Sequence, residues 1–462
     1  MSFASLDFVA FFTAVLLITA LLQQLKAGRA KEVFLVLASY FFYGYWDWRF
    51  CFLLLSVTLA AWWTARNNRR KAVYVLGIVI PLLVLGFFKY FNFFCSEIAK
   101  LSGRGFDAWN IILPVGISFY TFQALSYVID VHRGKIPVEK DFVRVALYLS
   151  FFPQLVAGPI VRASDFMPQL YEDRRVTKEN IRTGVQIILF GMIKKLVLSD
   201  HLSVFVDDFY AAPETFHWLS AILAVMSYSL QIYLDFSGYS DIAIGCAKCL
   251  GYDFKPNFNL PFLSVSVTEL WRRWHISLGT WLREYLYIPL GGNRRGKGRT
   301  LLNLFLTMLI GGLWHGADWT FVFWGALNGL ALCLERLRPP ARKARVPGWL
   351  GNIGIFLFFT FTFIFFRADS FEKAWRVLRV IVTFHAGVKQ PFIWSFVTMA
   401  LVLAGSLAAI RRSRKRGESE VQGFYPVLRL DSVWQLTVFF AEIGILLCLA
   451  YTGAHPFVYF QF

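Results

Sequence analysis

Apolar runs of bilayer-crossing length recur along the whole chain, and clusters of Lys and Arg close them at alternate ends. Phe8 to Leu22 is followed by Lys26, Arg29 and Lys31; Val33 to Tyr45 and Phe50 to Ala65 read as a pair ending in Arg66, Arg69, Arg70 and Lys71. Hydrocarbon offers no partner to a backbone N–H or C=O, so such runs fold as helices that satisfy their own backbone or as closed barrels. About 20 helical residues cross the ~30 Å core. With 57% hydrophobic and 18% aromatic residues and a mean hydropathy of +0.53, a soluble globular class is excluded. The expectation is an all-α polytopic membrane protein.

The formal charge of +18 comes from 47 Lys and Arg that fall in short clusters between apolar runs. That is the distribution of cytoplasmic membrane loops, not of a basic stripe for nucleic acid, and no nucleic-acid partner is expected. The N-terminus carries Asp7 and no basic residue before Lys26, so it lacks the charged region of a cleavable leader and is expected to stay as a first helix. Six scattered cysteines make no disulfide framework. Cys246 and Cys249 form a C-x-x-C with no second pair and no nearby histidine, and no metal site is expected there.

The basic clusters orient the chain. The N-terminus faces outward; Ala72 to Phe94 exits to an outer loop (Ser96 to Trp109), and Ile111 to Val131 returns to His132, Arg133 and Lys135. Phe142 to Ile160 is apolar but holds Pro153, Gly158 and Pro159, which free backbone groups, so it must be packed in protein or re-entrant. Ile181 to Val206 leaves and Trp218 to Cys246 comes back. Gly251 to Gly292 mixes Arg272, Arg273, Arg283 and Glu284 with Trp271, Trp274, Trp281 and Tyr285, as expected of helices lying in a cytoplasmic headgroup zone among membrane lipids. Leu350 to Phe366 goes out, Ser370 to Phe384 lies on the outer face, Ile393 to Ile410 returns to Arg411, Arg412, Arg414, Lys415 and Arg416, and Val433 to Tyr451 leaves an outer C-terminus. About ten full spans and two irregular regions result, falling into an N-terminal part (1–109), a central part (110–335) and a C-terminal part (336–462).

One run breaks the pattern. From Leu301 to Leu334 the only acidic, basic or imidazole side chains are His315 and Asp318. Basic loops flank it on both sides: Arg294, Arg295, Lys297 and Arg299 before it, and Arg336, Arg338, Arg342, Lys343 and Arg345 after it. Both ends are thus cytoplasmic, yet as one helix Thr300 to Glu335 is only ~54 Å long, short for two full crossings and a turn. The expectation is two short helices bent at Gly311, Gly312 and Gly316, with His315 at the tip.

An ionisable group at membrane depth is a functional candidate. Burial keeps an imidazole neutral, able to take a proton from a hydroxyl near neutral pH, and the glycines beside His315 leave room for a substrate. A histidine that only packs against a neighbouring carbonyl is the alternative. His275, in WRRWHISLGTW, is either a second functional histidine or a headgroup-level anchor, and Arg272 and Arg273 beside it suit the anionic handle of an acyl donor. Asp235, Ser237 and Asp241 orient a histidine, line a polar path, or cap a break near Gly238. Ser118, Thr121, Gln123 and Ser126 read first as helix-contact residues.

The blocks LPVGISFYTFQALSYVIDVHRGK, FFPQLVAGPIVRASDFMPQL, YLDFSGYSDIAIG, NFNLPFLSVSVTELWRRWHISLGTWLREYLYIPLGGNRRGKGRT and GGLWHGADWTFVFWGALNG resemble the membrane-bound O-acyltransferase (MBOAT) family. The nearest branch is the bacterial one that O-acetylates alginate and related envelope polymers, with peptidoglycan O-acetyltransferases close by. The resemblance implies helices around a central tunnel and an inner-membrane enzyme that passes an acetyl group from acetyl-CoA, with no bound cofactor, toward an extracytoplasmic polysaccharide through a periplasmic, esterase-like partner. It implies that His315 and His275 are the family's two histidines, with His315 as catalytic base. Arg272, Arg273, Arg294 and Arg295 are the donor-binding candidates, and Trp314, Asp318 and Asn328 the tunnel-lining ones. A transporter or polymer-export channel also carries broken helices and intramembrane polar groups, and differs in surviving the loss of His315.

Overall fold

The computed structural model describes every residue except 2, 4, 157, 339–347, 417–424, 426, 454–456 and 458–462. The basic-loop residues Arg342, Lys343 and Arg345 lie outside the described residues. Regular structure is helical; among the described residues the one β feature is an isolated bridge between Phe216 and Val388. Among the described residues, five helices are each long and apolar enough to cross a membrane: Leu6–Gln24, Lys71–Leu101, Trp218–Cys249, Gly348–Arg367 and Ile393–Lys415. Others expected to cross, such as Ile117–His132 and Val433–Leu449, are shorter. The chain is a multi-pass membrane protein.

Two compact units divide it. The first comprises Met1–Phe190, Tyr239–Lys255 and Val427–Arg429. Its helices Leu6–Gln24, Gly28–Gly44 and Arg49–Arg66 match the first three apolar runs. The fourth reaches further than expected: Lys71–Leu85 continues through a π turn at Gly86–Tyr90 into Phe91–Leu101, so the outer loop is shorter. Pro81 inside this helix removes a ladder hydrogen bond, and the wider π turn follows within two turns. The breaker-rich stretch is broken as its composition requires, into Phe142–Ser150 and the single turn Phe152–Leu155, with Phe151, Phe152 and Leu155 buried. Charges in this unit are tied in pairs: Arg29 and Arg144 share Glu32, Arg29 also meets Asp141, and Asp253 takes both Arg174 and Lys248.

The second unit comprises Gly191–Gly238, Pro256–Pro426 and Leu430–Phe462. An aromatic core holds it, in which Trp274, Trp324, Phe359, Phe363 and Phe366 pack with Tyr210, Tyr228 and Tyr233. Trp218–Cys249 runs through Gly238 as one unbroken helix of 32 residues, so Asp235 and Asp241 do not cap a break. Gly238 serves close packing instead: a Cβ there would stand 2.7 Å from the Gly191 carbonyl oxygen. Asp235 does not orient a histidine through the partner it is seen with. It and Asp200 receive Lys195, at 2.5 and 2.7 Å, with all three side chains nearly fully buried. Removing one member of such a group leaves an uncompensated charge.

The run around His315 is an antiparallel hairpin of Gly296–His315 and Trp319–Leu337, turning at Gly316 to Asp318. The helices have 20 and 19 residues, about 30 Å each at 1.5 Å per residue, longer than the short pair expected because they begin and end inside the flanking basic loops. The bend is at Gly316, while Gly311 and Gly312 remain helical. Gly312 and Gly325 instead let the two backbones touch: a Cβ on Gly312 would stand 3.0 Å from the Gly325 Cα and press on the Phe321 carbonyl, and one on Gly325 would press on the Met308 carbonyl. Backbone cannot move aside as a side-chain tip can. Gly312→Ala is therefore expected to destabilise the detergent-solubilised protein by about 1–3 kcal/mol. Gly354→Ala, where a Cβ meets nothing within 4 Å, is expected to stay neutral or gain a few tenths of a kcal/mol from helix propensity; thermal unfolding of the two variants checks this.

Candidate active site

His275 sits at a corner between two short helices, Val267–Arg273 and Ile276–Leu282. Its backbone is left-handed (φ 42°, ψ 55°), a conformation that a non-glycine residue holds only when its surroundings impose it. Asn257 imposes it. The Asn257 carbonyl accepts the Ile276 N–H at 2.8 Å, and its side-chain Oδ1 accepts the Ser277 N–H at 3.1 Å and the Ser277 hydroxyl at 2.8 Å. The same Oδ1 lies 3.2 Å from His275 Nδ1.

This contact decides the tautomer. A backbone N–H only donates, so the Asn257 atom facing Ser277 is the oxygen, and the His275 Nδ1 that faces the same oxygen carries the proton. Nε2 is then the lone-pair nitrogen. The ring is 1% exposed, edge-on to Phe236 at 4.6 Å and 6.1 Å from Trp314. Of the two alternatives left open for His275, a solvent-facing headgroup anchor does not fit this burial: the Asn257 to Asn259 segment folds over the corner.

His315 is the last residue of its helix and is 4% exposed. Its ring meets Trp314 at 5.0 Å, Trp324 at 5.1 Å and Phe366 at 5.2 Å. Trp314 therefore touches both histidines, and the structure brings the two into one aromatic cage within the second unit.

The other candidates separate. Asp318 caps the Trp319–Leu337 helix, its Oδ1 accepting the Thr320 N–H at 2.8 Å, which is a structural use. Asn328 is fully buried with its amide N–H₂ donating to the Trp324 carbonyl at 2.9 Å. Arg273 is committed to Glu269 and the Asn259 carbonyl. Arg272 is exposed and faces a polar cavity of about 460 Å³ lined by Asn259, Ser266, Thr268, Glu269, Arg273, Glu335 and Arg336 as well. Arg294 and Arg295 are exposed and do not line it.

The two acids in this cavity are occupied. Glu335 accepts the Val267 and Thr268 N–H groups at 2.7 and 3.1 Å, and Glu269 holds Arg273 and the Val265 N–H. Arg272 and Arg336 make no ion pair among the described residues, so two guanidinium groups give the cavity a positive face suited to an anion. Three residues escaped the sequence reading. Arg336 reads from the sequence only as a loop charge, and Asn257 and Trp324 are not singled out there. The spacing N-F-N before the WRRWH block was the available signal for Asn257.

The MBOAT profile, membrane-bound O-acyltransferase family, matches residues 135–371, which contain every element of this site. The chain belongs to this family. Among similar MBOAT proteins, the probable alginate O-acetylase AlgI of Pseudomonas aeruginosa is 40% identical over 378 residues, 79% of this chain and 72% of that protein. The peptidoglycan O-acetyltransferase of Helicobacter pylori is 36% identical over 76% of this chain and 73% of its own length. A teichoic acid D-alanyltransferase of Bacillus subtilis is more distant, 26% identical over 48% of this chain and 59% of its own length. As an MBOAT protein the chain is an acyltransferase.

Burial pushes the His275 pKa down from 6.5 to about 3. The unfolded chain takes up a proton below pH 6.5 that the folded protein refuses, so stability is complete above the unfolded value and is lost progressively as pH falls toward the folded one. Thermal stability is expected to fall more steeply between about pH 7 and pH 5 in the native protein than in His275→Asn. Asn257→Ala, which strips three donors of their shared acceptor, is expected to cost about 1–3 kcal/mol, measurable by the same melts.

Proposed function

We propose that this MBOAT enzyme is an O-acetyltransferase of the bacterial inner membrane, with both termini on the periplasmic side. It takes acetyl groups from cytoplasmic acetyl-CoA and passes them toward an extracytoplasmic, alginate-like polysaccharide through a periplasmic esterase-like partner. The similarity to an alginate O-acetylase over 79% of the chain supports the polymer class. Peptidoglycan is the second reading, supported by the 36% identical relative that acts on it.

The observation that carries the chemistry is His315, buried among Trp314, Trp324 and Phe366 at the turn of the hairpin. His315 removes the proton from an acceptor hydroxyl as its oxygen attacks the thioester carbonyl carbon. The C–S bond breaks, and the leaving thiolate takes the proton back from His315. Water is kept out by the surrounding rings, so the thioester is not hydrolysed at the same place. Arg272 and Arg336 hold the donor's phosphates at the mouth of the polar cavity, where flexible exposed side chains can reach an anion without exposing the histidines. His275, held by Asn257 in its Nδ1–H form, presents Nε2 as an acceptor and fixes Trp314 from the other side.

The test is acetyl transfer in membranes supplied with labelled acetyl-CoA and the periplasmic partner. His315→Ala is expected to lower transfer to background; undiminished transfer rejects the base, and continued substrate movement without thioester consumption indicates a transporter. Arg272→Gln and Arg336→Gln are each expected to raise the KM for acetyl-CoA about tenfold with little change in kcat. An unchanged KM in both variants removes the cavity from donor binding.

A further inference from the structure

The indole N–H groups of Trp324 and Trp271 are the feature of the His315 cage that acyl transfer through His315 alone leaves unused. Trp324 is 1% exposed, and its Nε1 is sealed from solvent with no hydrogen-bond partner among the described residues; the same holds for Nε1 of the half-buried Trp271. An indole N–H only donates, and a buried donor left unmade is a net cost to the fold. Phenylalanine would avoid that cost, and this chain uses Phe at the neighbouring positions Phe321, Phe359, Phe363 and Phe366.

The two indoles touch each other, with ring centroids 5.7 Å apart and planes at 71°, and Trp324 stands edge-on to His315 at 5.1 Å and 88°. Both are held on helices, Trp324 on the hairpin arm locked by Gly312 and Gly325, Trp271 on Val267–Arg273. Trp324 therefore stands as a rigid neutral donor beside His315, with Trp271 as a second such donor packed against Trp324.

We propose that Trp324 and Trp271 bind the thioester carbonyl oxygen as it becomes an oxyanion, a role that rests on the acyl-transfer reading of His315. When the acceptor oxygen adds to the carbonyl carbon, the π pair moves onto the carbonyl oxygen and the two N–H groups take hydrogen bonds to it. When the C=O bond re-forms, the C–S bond breaks and the thiolate leaves with the proton His315 had received. Donors aimed at charge that exists only in the transition state accelerate the step without tightening substrate binding.

The test is Trp324→Phe in the full-length protein in membranes, with acetyl-CoA as donor and His315→Ala measured alongside. Loss of one such donor is expected to lower kcat roughly 100-fold while KM for acetyl-CoA and the pH profile stay in place. A kcat within about threefold of the native enzyme, or a loss that appears wholly in KM, overturns the assignment. If Trp324→Phe does not fold, Trp271→Phe is read by the same criteria. Transfer that survives His315→Ala instead defeats the reading of His315 as the base, on which the proposal rests, a result distinct from an inactive His315 variant paired with a fully active Trp324→Phe.

Discussion

Backbone-to-backbone contact between the two arms of the Gly296–His315 and Trp319–Leu337 hairpin is the constraint on which the site depends. Where Gly312 faces Gly325 there is no side chain between the helices, so the arms approach as closely as their carbonyls allow. Helices in lipid gain no hydrophobic drive toward one another and rely on such close packing. The contact sets the separation of His315 at the end of one arm from Trp324 on the other. A methyl group at either glycine would press on the facing backbone and push apart the arms that carry His315 and Trp324.

A second constraint is the polar accounting of a nearly dry interior. Asn257 is one small amide, yet its oxygen serves a backbone N–H, a hydroxyl and an imidazole. It thereby stabilises a left-handed histidine, chooses its tautomer and closes the corner between two helices. Lys195 likewise meets two carboxylates with which it is almost completely buried.

Much of the fold was legible from the chain. Lipid permits few backbone solutions, so apolar runs read directly as helices, and Pro153 with Gly158 marked the broken segment that is found as Phe142–Ser150 and Phe152–Leu155. The hairpin around His315 was legible from the basic loops at both its ends. Its arm length was misjudged because helix can continue into a basic flank such as Gly296 to Arg299, where side chains and not backbone meet water. A break near Gly238 was one of the open alternatives, because a glycine gives the same signal whether it bends a helix or lets another backbone approach.

The sequence by itself determined that this is a helical membrane protein of the O-acyltransferase family, since composition, spacing and motif are local properties of the chain. Only the tertiary structure decided that His275 is buried in protein, that it shares Trp314 with His315, that Arg336 joins Arg272 while Arg294 and Arg295 stand apart, and that the Trp324 and Trp271 indole donors are unmet among the described residues. The physical reason is that burial, tautomer and the absence of a partner belong to what surrounds a residue. Those surroundings are assembled from segments far apart in the chain, such as Asn257 with Ser277 and Trp271 with Trp324.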